Sequence, residues 1–473
     1  MTARARGRSA PSSSRGASGR IGAALIAHLP FWLLAAFLTL VFATGGSSFG
    51  NVPQLVVLRP VAVLLAGYGL ATLRRDHWQA YRTVFMMAIA IVALTAIHLV
   101  PLPPMLWHLL PGRDLAQAID AAAGLQDAWR PLSLTPSRTI NALFALAIPV
   151  ATLVLAAQLG SRDRIRILYV LLALSAVSAL IGLLQAAGLP ISLFHTLSTA
   201  DTIEAAGLFA NQNHQAALLA CAIPMLAVAA RTVEKGRRAA QRIVKPLATA
   251  AGLVLVIQLI VTGSRAGLVL GTIAIAFTLF YGLAQSDRLD RMPPRMRLGI
   301  RAALVVGIAG AAALVTTLAA RGLALQRLET VTADLRPRLW ASILPILPDY
   351  QPLGSGIGSY VEVYRAHEPL ALLRATYSNH AHNDYLEVLL TAGLPGLLLL
   401  VAAVVLVGRV LWRHRQGQAI DTVLARLGGT IIVIIACASV TDYPLRTPLL
   451  ASVFVLAALW CAKPEGAERR SGG

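Results

Sequence analysis

The sequence predicts an all-α integral membrane protein that crosses the bilayer about twelve times. Three observations carry that prediction. Hydrophobic residues make up 57% of the 473-residue chain and charged residues only 13%, whereas about a quarter of a soluble domain is charged. Apolar runs of about 20 residues, long enough to span a hydrocarbon core of roughly 30 Å, recur along the whole length. Basic residues gather in the connections that would share one side of the membrane. The runs lack the ten-residue alternation of barrel strands, so helices are what satisfies their backbone in lipid.

Taken in order, residues 1–20 form a basic leader, MTARARGRSAPSSSRGASGR, expected to be disordered and cytoplasmic. It looks like the charged start of a signal peptide, but the run behind it is longer than a cleavable core and reads as an uncleaved first helix. That run covers about 23–44. Eight more follow at about 55–73, 84–104, 140–159, 166–188, 208–230, 246–262, 266–283 and 302–319, placing helices one to nine within 21–319. A large loop at 320–385 precedes the last three runs, at 386–408, 427–441 and 447–462, within 386–462. With the N-terminus inside, the arginines and lysines of 1–20, 74–82, 162–166, 231–245, 288–301, 409–426 and 463–470 all fall inside, most of the chain's 41 basic residues. This positive-inside bias explains the net charge of +20 without nucleic acid. An even helix count returns residues 463–473 to the cytoplasm as a basic tail. Cys221, Cys437 and Cys461 lie in or beside the runs in no metal-ligand spacing, which supports neither a disulfide framework nor a zinc site.

Two long connections, 105–139 and 320–385, face the other side, where ordered loops on a rigid scaffold tend to carry function. The second holds Arg321, Arg327, Arg336, Arg338, Arg365 and Arg374 against the direction of the charge bias. Such arginines ask for an anionic partner, or for internal pairs with Glu329, Asp334, Asp349, Glu362 and Glu368. No strong internal repeat, phosphate loop ending in GKS or GKT, or Asp-x-Asp motif is present, which disfavours paired transporter halves and metal-borne nucleotide sugars. GSGIGSY, Gly354 to Tyr360, lacks the strand and helix context of a dinucleotide turn and reads as a tight loop.

Four stretches could carry chemistry. In HAHNDYLEVLLTAGLPG, His380 to Gly396, Asp384 and Glu387 have the spacing of a helix N-cap and capping box, with His382 and Asn383 just outside it. The positive end of the helix dipole favours anions and a neutral imidazole, and a neutral histidine can accept a proton. A histidine that only caps or sits at the interface is the structural alternative. TGSRAG, Thr262 to Gly267, sets Arg265 between two apolar runs, as an anion ligand or a lipid-phosphate anchor. DLRPRLW, Asp334 to Trp340, offers two planar guanidinium forks suited to phosphate oxygens. GLFANQNHQAALLACAIP, Gly207 to Pro224, puts Asn211, Asn213 and His214 at the outer end of the sixth run, for ligand hydroxyls or for helix capping. If the topology holds, all four reach one membrane face.

At these residues the chain resembles the O-antigen ligase and polymerase superfamily of bacterial membrane glycosyltransferases. Its signature, His, then Asn, Ser or Gln, nine residues, Gly, two residues, Gly, is met by His382, Asn383, Gly393 and Gly396. GLFANQNHQA, GSRAG, RPRLW and PLGSGIGSY look like the family's other blocks in the family's order, and the likeness covers about 205–400. The resemblance implies transfer of a glycan from undecaprenyl diphosphate to an acceptor hydroxyl, inverting and without a metal or other cofactor. The active site would face the periplasm from the bacterial inner membrane. His382 would activate the acceptor, and Arg265 and Arg336 would hold the diphosphate. Arg338, Asn383, Asn211, Asn213, His214, His380 and Tyr385 are candidate substrate contacts, and His380 competes with His382 for the base role. The implied partners are the lipid-linked donor, a glycan or lipid A-core acceptor and membrane lipids. Within the family, ligation to lipid A-core, polymerisation of O-antigen or exopolysaccharide, and transfer to protein serine remain open. A lipid-linked glycan flippase is the rival from another class, and a non-catalytic anchor a third reading.

Overall fold

The computed structural model describes residues 28–50, 52–189, 191, 205–234, 238–283, 335–374, 377–415, 417 and 419–462, with isolated residues between 292 and 310. The leader 1–20, most of the expected helix at 302–319, Arg321, Arg327, Glu329 and Asp334, and the tail 463–473 lie outside them.

The principal helices are α1 (Leu29–Thr44), α2 (Leu55–Thr72), α3 (Arg82–Ile97), α4 (Asp114–Ala122), α5 (Pro136–Ala145), α6 (Ala147–Ala156), α7 (Ser161–Ala186), α8 (Gln212–Glu234), α9 (Arg238–Val261), α10 (Arg265–Leu283), α11 (Arg336–Ile343), α12 (Tyr360–His367), α13 (Asp384–Arg413), α14 (Ile420–Ala438) and α15 (Pro448–Ala462). Strand structure among the described residues is one antiparallel bridge, Pro101–Leu102 with Arg130–Pro131. Among the described residues, seven segments are long and apolar enough to cross a membrane: α2, α5 with α6, α7, α8, α9, α13 and α14. Four shorter apolar helices, α1, α3, α10 and α15, accompany them. The chain is an all-α, multi-pass membrane protein.

Helix ends depart from the apolar runs for local reasons. The expected third run, 84–104, stops at Ile97 because Pro101, Pro103 and Pro104 follow, and proline can neither donate to nor pack within a helix interior. The run expected to begin at 427 begins at Ile420, taking in Arg426. That arginine is only 3% exposed. Its Nε donates to the His414 carbonyl, its Nη2 donates to Gly417 O at 2.9 Å, and its guanidinium lies 5.4 Å from the Tyr281 ring centre. A charge with that many partners does not end a helix.

The connections sort to two faces. On one, Ala210 N donates to Gly46 O, Leu449 N to Gly45 O and Asp384 N to Ser439 O, at 3.0–3.1 Å. On the other, His28 meets Asp163 at 2.7 Å and Arg164 meets Asp421 at 3.2 Å. The first is called the site face below. The two long loops join there through Leu134 N donating to Ser355 O at 3.0 Å, and the first is held together by Ser133 N donating to His98 O at 2.9 Å and buried Arg113 Nη2 to Leu132 O at 2.7 Å.

GSGIGSY is a tight loop. It packs where α13 is broken at Gly393, whose φ of 59° and ψ of −153° are not helical. Ser355 N and Gly356 N donate to the carbonyls of Leu390 and Thr391 at 3.0 and 2.9 Å, and Leu394 N donates to Pro352 O at 2.8 Å. A Cβ on Gly393 would stand 2.2 Å from Pro352 O, so this signature glycine is required by backbone packing.

Candidate active site

α14 and α15 run antiparallel in close contact, since a Cβ on Gly428 would meet Ala457 O at 2.2 Å. Their connection, Ser439 to Thr447, therefore carries Asp442, Tyr443 and Arg446 rigidly to the centre of the site face. Asp442 is only 2% exposed. Its Oδ2 accepts from Asn213 Nδ2 at 2.7 Å and Asn211 Nδ2 at 3.2 Å, and Arg336 Nη2 lies 3.6 Å away. On the other oxygen, His382 Nδ1 lies at 3.4 Å and His214 Nε2 at 3.7 Å. Neither imidazole nitrogen has a partner of hydrogen-bond geometry. Burial alone would push the Asp442 carboxyl up, but His214 and His382 hold it well below the usual carboxylate range. A carboxylate facing Nδ1 of His382 favours the tautomer that carries its proton on that nitrogen.

Each approaching group is set by its own segment. Asn211 caps α8, its Oδ1 accepting from Asn213 N at 2.8 Å while its amide turns to Asp442. Capping and the contact to Asp442 are thus two uses of one side chain. Ser264 caps α10 by accepting from Gly267 N at 2.9 Å and donates to Asn213 Oδ1 at 2.7 Å. Arg265 is the next residue, half-buried at the start of α10. Arg336 opens α11, which is pinned to the histidine loop by Trp340 Nε1 donating to Ala381 O at 2.9 Å. His382 adopts φ 49°, a left-handed conformation costly to a non-glycine residue and seen mostly where function or packing demands it.

Beside Asp442 a cavity of about 290 Å³ is lined by Gly46, Ser48, Phe49, Asn211, Asn213, His214, Arg336 and Tyr443, among others. His382 stands just behind Tyr443, ring centres 4.9 Å apart, and its side chain is 28% exposed.

The helix cap differs from the sequence expectation. Asn383 caps α13, its Oδ1 accepting from Tyr385 N and Leu386 N at 3.0 and 3.1 Å, so Asp384 is the first helical residue. Glu387 does not close a capping box. Its carboxylate accepts from Ala381 N at 3.0 Å, meets His380 Nδ1 at 3.1 Å and pairs with Arg446 Nη1 at 3.1 Å. Arg446 Nε in turn donates to Asp384 Oδ1 at 3.0 Å. Burial pushes the His380 imidazole pKa down, with Glu387 pulling the other way.

The structure thus brings Asn211, Asn213, His214, Arg336 and His382 to one carboxylate. It sets His380 in the adjacent network, makes Asn383 a cap and turns the Tyr385 hydroxyl to Ala436 O at 2.8 Å. Arg338 is exposed, and Arg265 touches the cluster through its neighbour Ser264. Sequence reasoning missed Asp442, Tyr443 and Arg446. The available signal was two ionisable residues in the short connection between the last two apolar runs, where such groups are seldom idle. Among the described residues no group of three or more His, Cys, Asp and Glu is placed to hold a metal ion.

Fold and site together define a multi-pass membrane protein with a histidine, carboxylate and arginine centre at one face. Residues 250–401 match the family model described as O-antigen ligase, so this stretch of the chain is similar to that family. The match supports a ligase- or polymerase-type membrane enzyme in general. No curated protein matches the chain.

Proposed function

We propose that the chain transfers a glycan from undecaprenyl diphosphate to an acceptor hydroxyl at the periplasmic face of the inner membrane, without a metal. The observation that carries this reading is the convergence on Asp442 of a histidine, two amides and an arginine beside the cavity. The acceptor oxygen attacks the anomeric carbon and gives its proton to His382 Nε2. The bond from that carbon to the diphosphate oxygen breaks, and the diphosphate leaves with the electron pair toward Arg336 and Arg265. Asp442 stabilises the imidazolium that forms, and attack opposite the leaving group inverts the sugar. A positioned general base contributes about 10²–10⁴-fold. Charge stabilisation of the leaving group is the larger contribution.

The arginine-bearing connections Arg74–Arg82 and Arg162–Arg166 lie on the face opposite the site, which supports a cytoplasmic assignment for that face. The acceptor is lipid A-core or a growing O-antigen or exopolysaccharide chain. Purified protein given undecaprenyl diphosphate-linked glycan and each acceptor, with and without chelator, tests the reading. Product with one acceptor class in chelator is the expected result. Loss of product on chelation would refute metal independence, and flipping of donor without product would replace the transferase by a transporter.

A further inference from the structure

The outward loop after α3 is folded with its apolar side out. In α4, Leu115 and Ile119 are 63% and 59% exposed, whereas Asp120, on the opposite side, is 7% exposed and pairs with Arg130. Half-buried Gln117 donates to His108 O at 3.1 Å. Met105 and Leu109 before the helix, each 76% exposed, and Trp129 after it, 64%, extend the same surface. A loop helix in water would show the reverse pattern.

The break in α13 says what covers this surface. At about 1.5 Å per residue the 30 residues of α13 would span about 45 Å, half again the hydrocarbon thickness. The stretch from Leu394 to Arg413 alone covers about 30 Å. The outer edge of the hydrocarbon therefore falls near Gly393, with its inner edge at the basic end of the helix. The loop at 352–356 is hydrogen-bonded to α13 at this level, and the α4 loop is bonded to it in turn through Leu134 N to Ser355 O and Arg113 Nη2 to Gly354 O. Its apolar surface also continues directly from Ile97, the exposed last residue of the spanning helix α3.

We propose that residues 104–129 are an interfacial anchor: α4 lies in the plane of the site-side membrane surface with Leu115, Ile119 and Trp129 in the boundary between headgroups and acyl chains. Anchored there, the loop holds GSGIGSY, the Gly393 break and the histidine loop at a fixed depth, whatever reaction the site performs. The test uses the full chain in phospholipid nanodiscs, with a nitroxide on Ile119→Cys and separately on Leu115→Cys. The parent chain, whose three cysteines are buried or half-buried, is labelled as the blank. Both labels are expected to collide more often with oxygen, which partitions into lipid, than with a water-soluble nickel chelate. Preference for the chelate at both sites would show a solvated loop, and protection from both reagents would show a protein partner such as a second copy. Either result overturns the proposal.

Discussion

Two polar clusters flank the Tyr443 ring, and they are built on opposite principles. Around Glu387 the contacts are short and closed: His380, Ala381 N and Arg446 meet one 2%-exposed carboxylate, and Asp384 completes Arg446. Around Asp442 the two amides bond well, but the two histidines stand at 3.4 and 3.7 Å without hydrogen-bond geometry and a cavity opens beside them. A buried polar network that is satisfied holds its segments in place, whereas one left short of partners is costly and usually serves a ligand or a reaction. On the proposed function, the first cluster is scaffold and the second is the site. The same contrast separates the two histidines of HAHN: His380 is tied to Glu387, and His382 is aimed by Asp442 from a strained backbone.

The largest test of that contrast is His382→Ala, expected to lower transfer by about 10²–10⁴-fold in a turnover assay with the fold intact. His380→Ala should lower the thermal midpoint more than the turnover of the folded fraction. Full transfer by His382→Ala together with none by His380→Ala would exchange their roles. Next, Glu387→Ala leaves Arg446 short of a buried partner and is expected to cost about 3–5 kcal/mol in thermal unfolding of the solubilised protein. A shift of a few tenths would mean the cluster is not scaffold. Third, Arg336→Ala should reduce transfer by roughly 10²–10³-fold, the usual cost of losing one preorganised donor to developing charge. Lysine should not restore it, lacking the planar fork. Exposed Arg338→Ala should leave the rate within a small factor, and equal losses at both positions would remove the distinction between them.

The smallest effect concerns the scaffold of the joined loops. His98 Nδ1 accepts from Ile357 N at 3.1 Å, and burial lowers its pKa to about 4. Its folded value is depressed below the ordinary 6.5, so its contribution to stability is complete above that value and lost as pH falls toward about 4. The protection factors at Ile357 and Leu134, corrected for the intrinsic pH dependence of exchange, should fall between pH 7 and 5, and His98→Phe should abolish that fall. An unchanged pH response in that variant would place the sensitive group elsewhere.

How much of this could be read beforehand follows from what each signal depends on. Hydropathy located the apolar helices because lipid imposes one requirement on every span. The two asparagines, His214, Arg336 and His382 stood out because polar groups abutting apolar runs are rare and each sits in a short motif. The cap was misplaced by one residue because Asn383 and Asp384 are both good caps, and the choice fell to Ser439 and Arg446, which draw Asp384 away. The start of α14 was misplaced because Arg426 found carbonyl partners, and partner geometry is not a property of composition.

By itself, then, the sequence determined a helical membrane protein, the set of polar motifs along it and the glycines that mark tight backbone. Local spacing and hydropathy suffice for those. Only the tertiary structure decided that Asp442, 60 residues beyond His382, is the carboxylate on which the motifs converge, and which histidine each acid holds. The reason is physical: a side chain's partner is chosen by helix packing that brings distant loops to one face, and no spacing along the chain encodes that meeting.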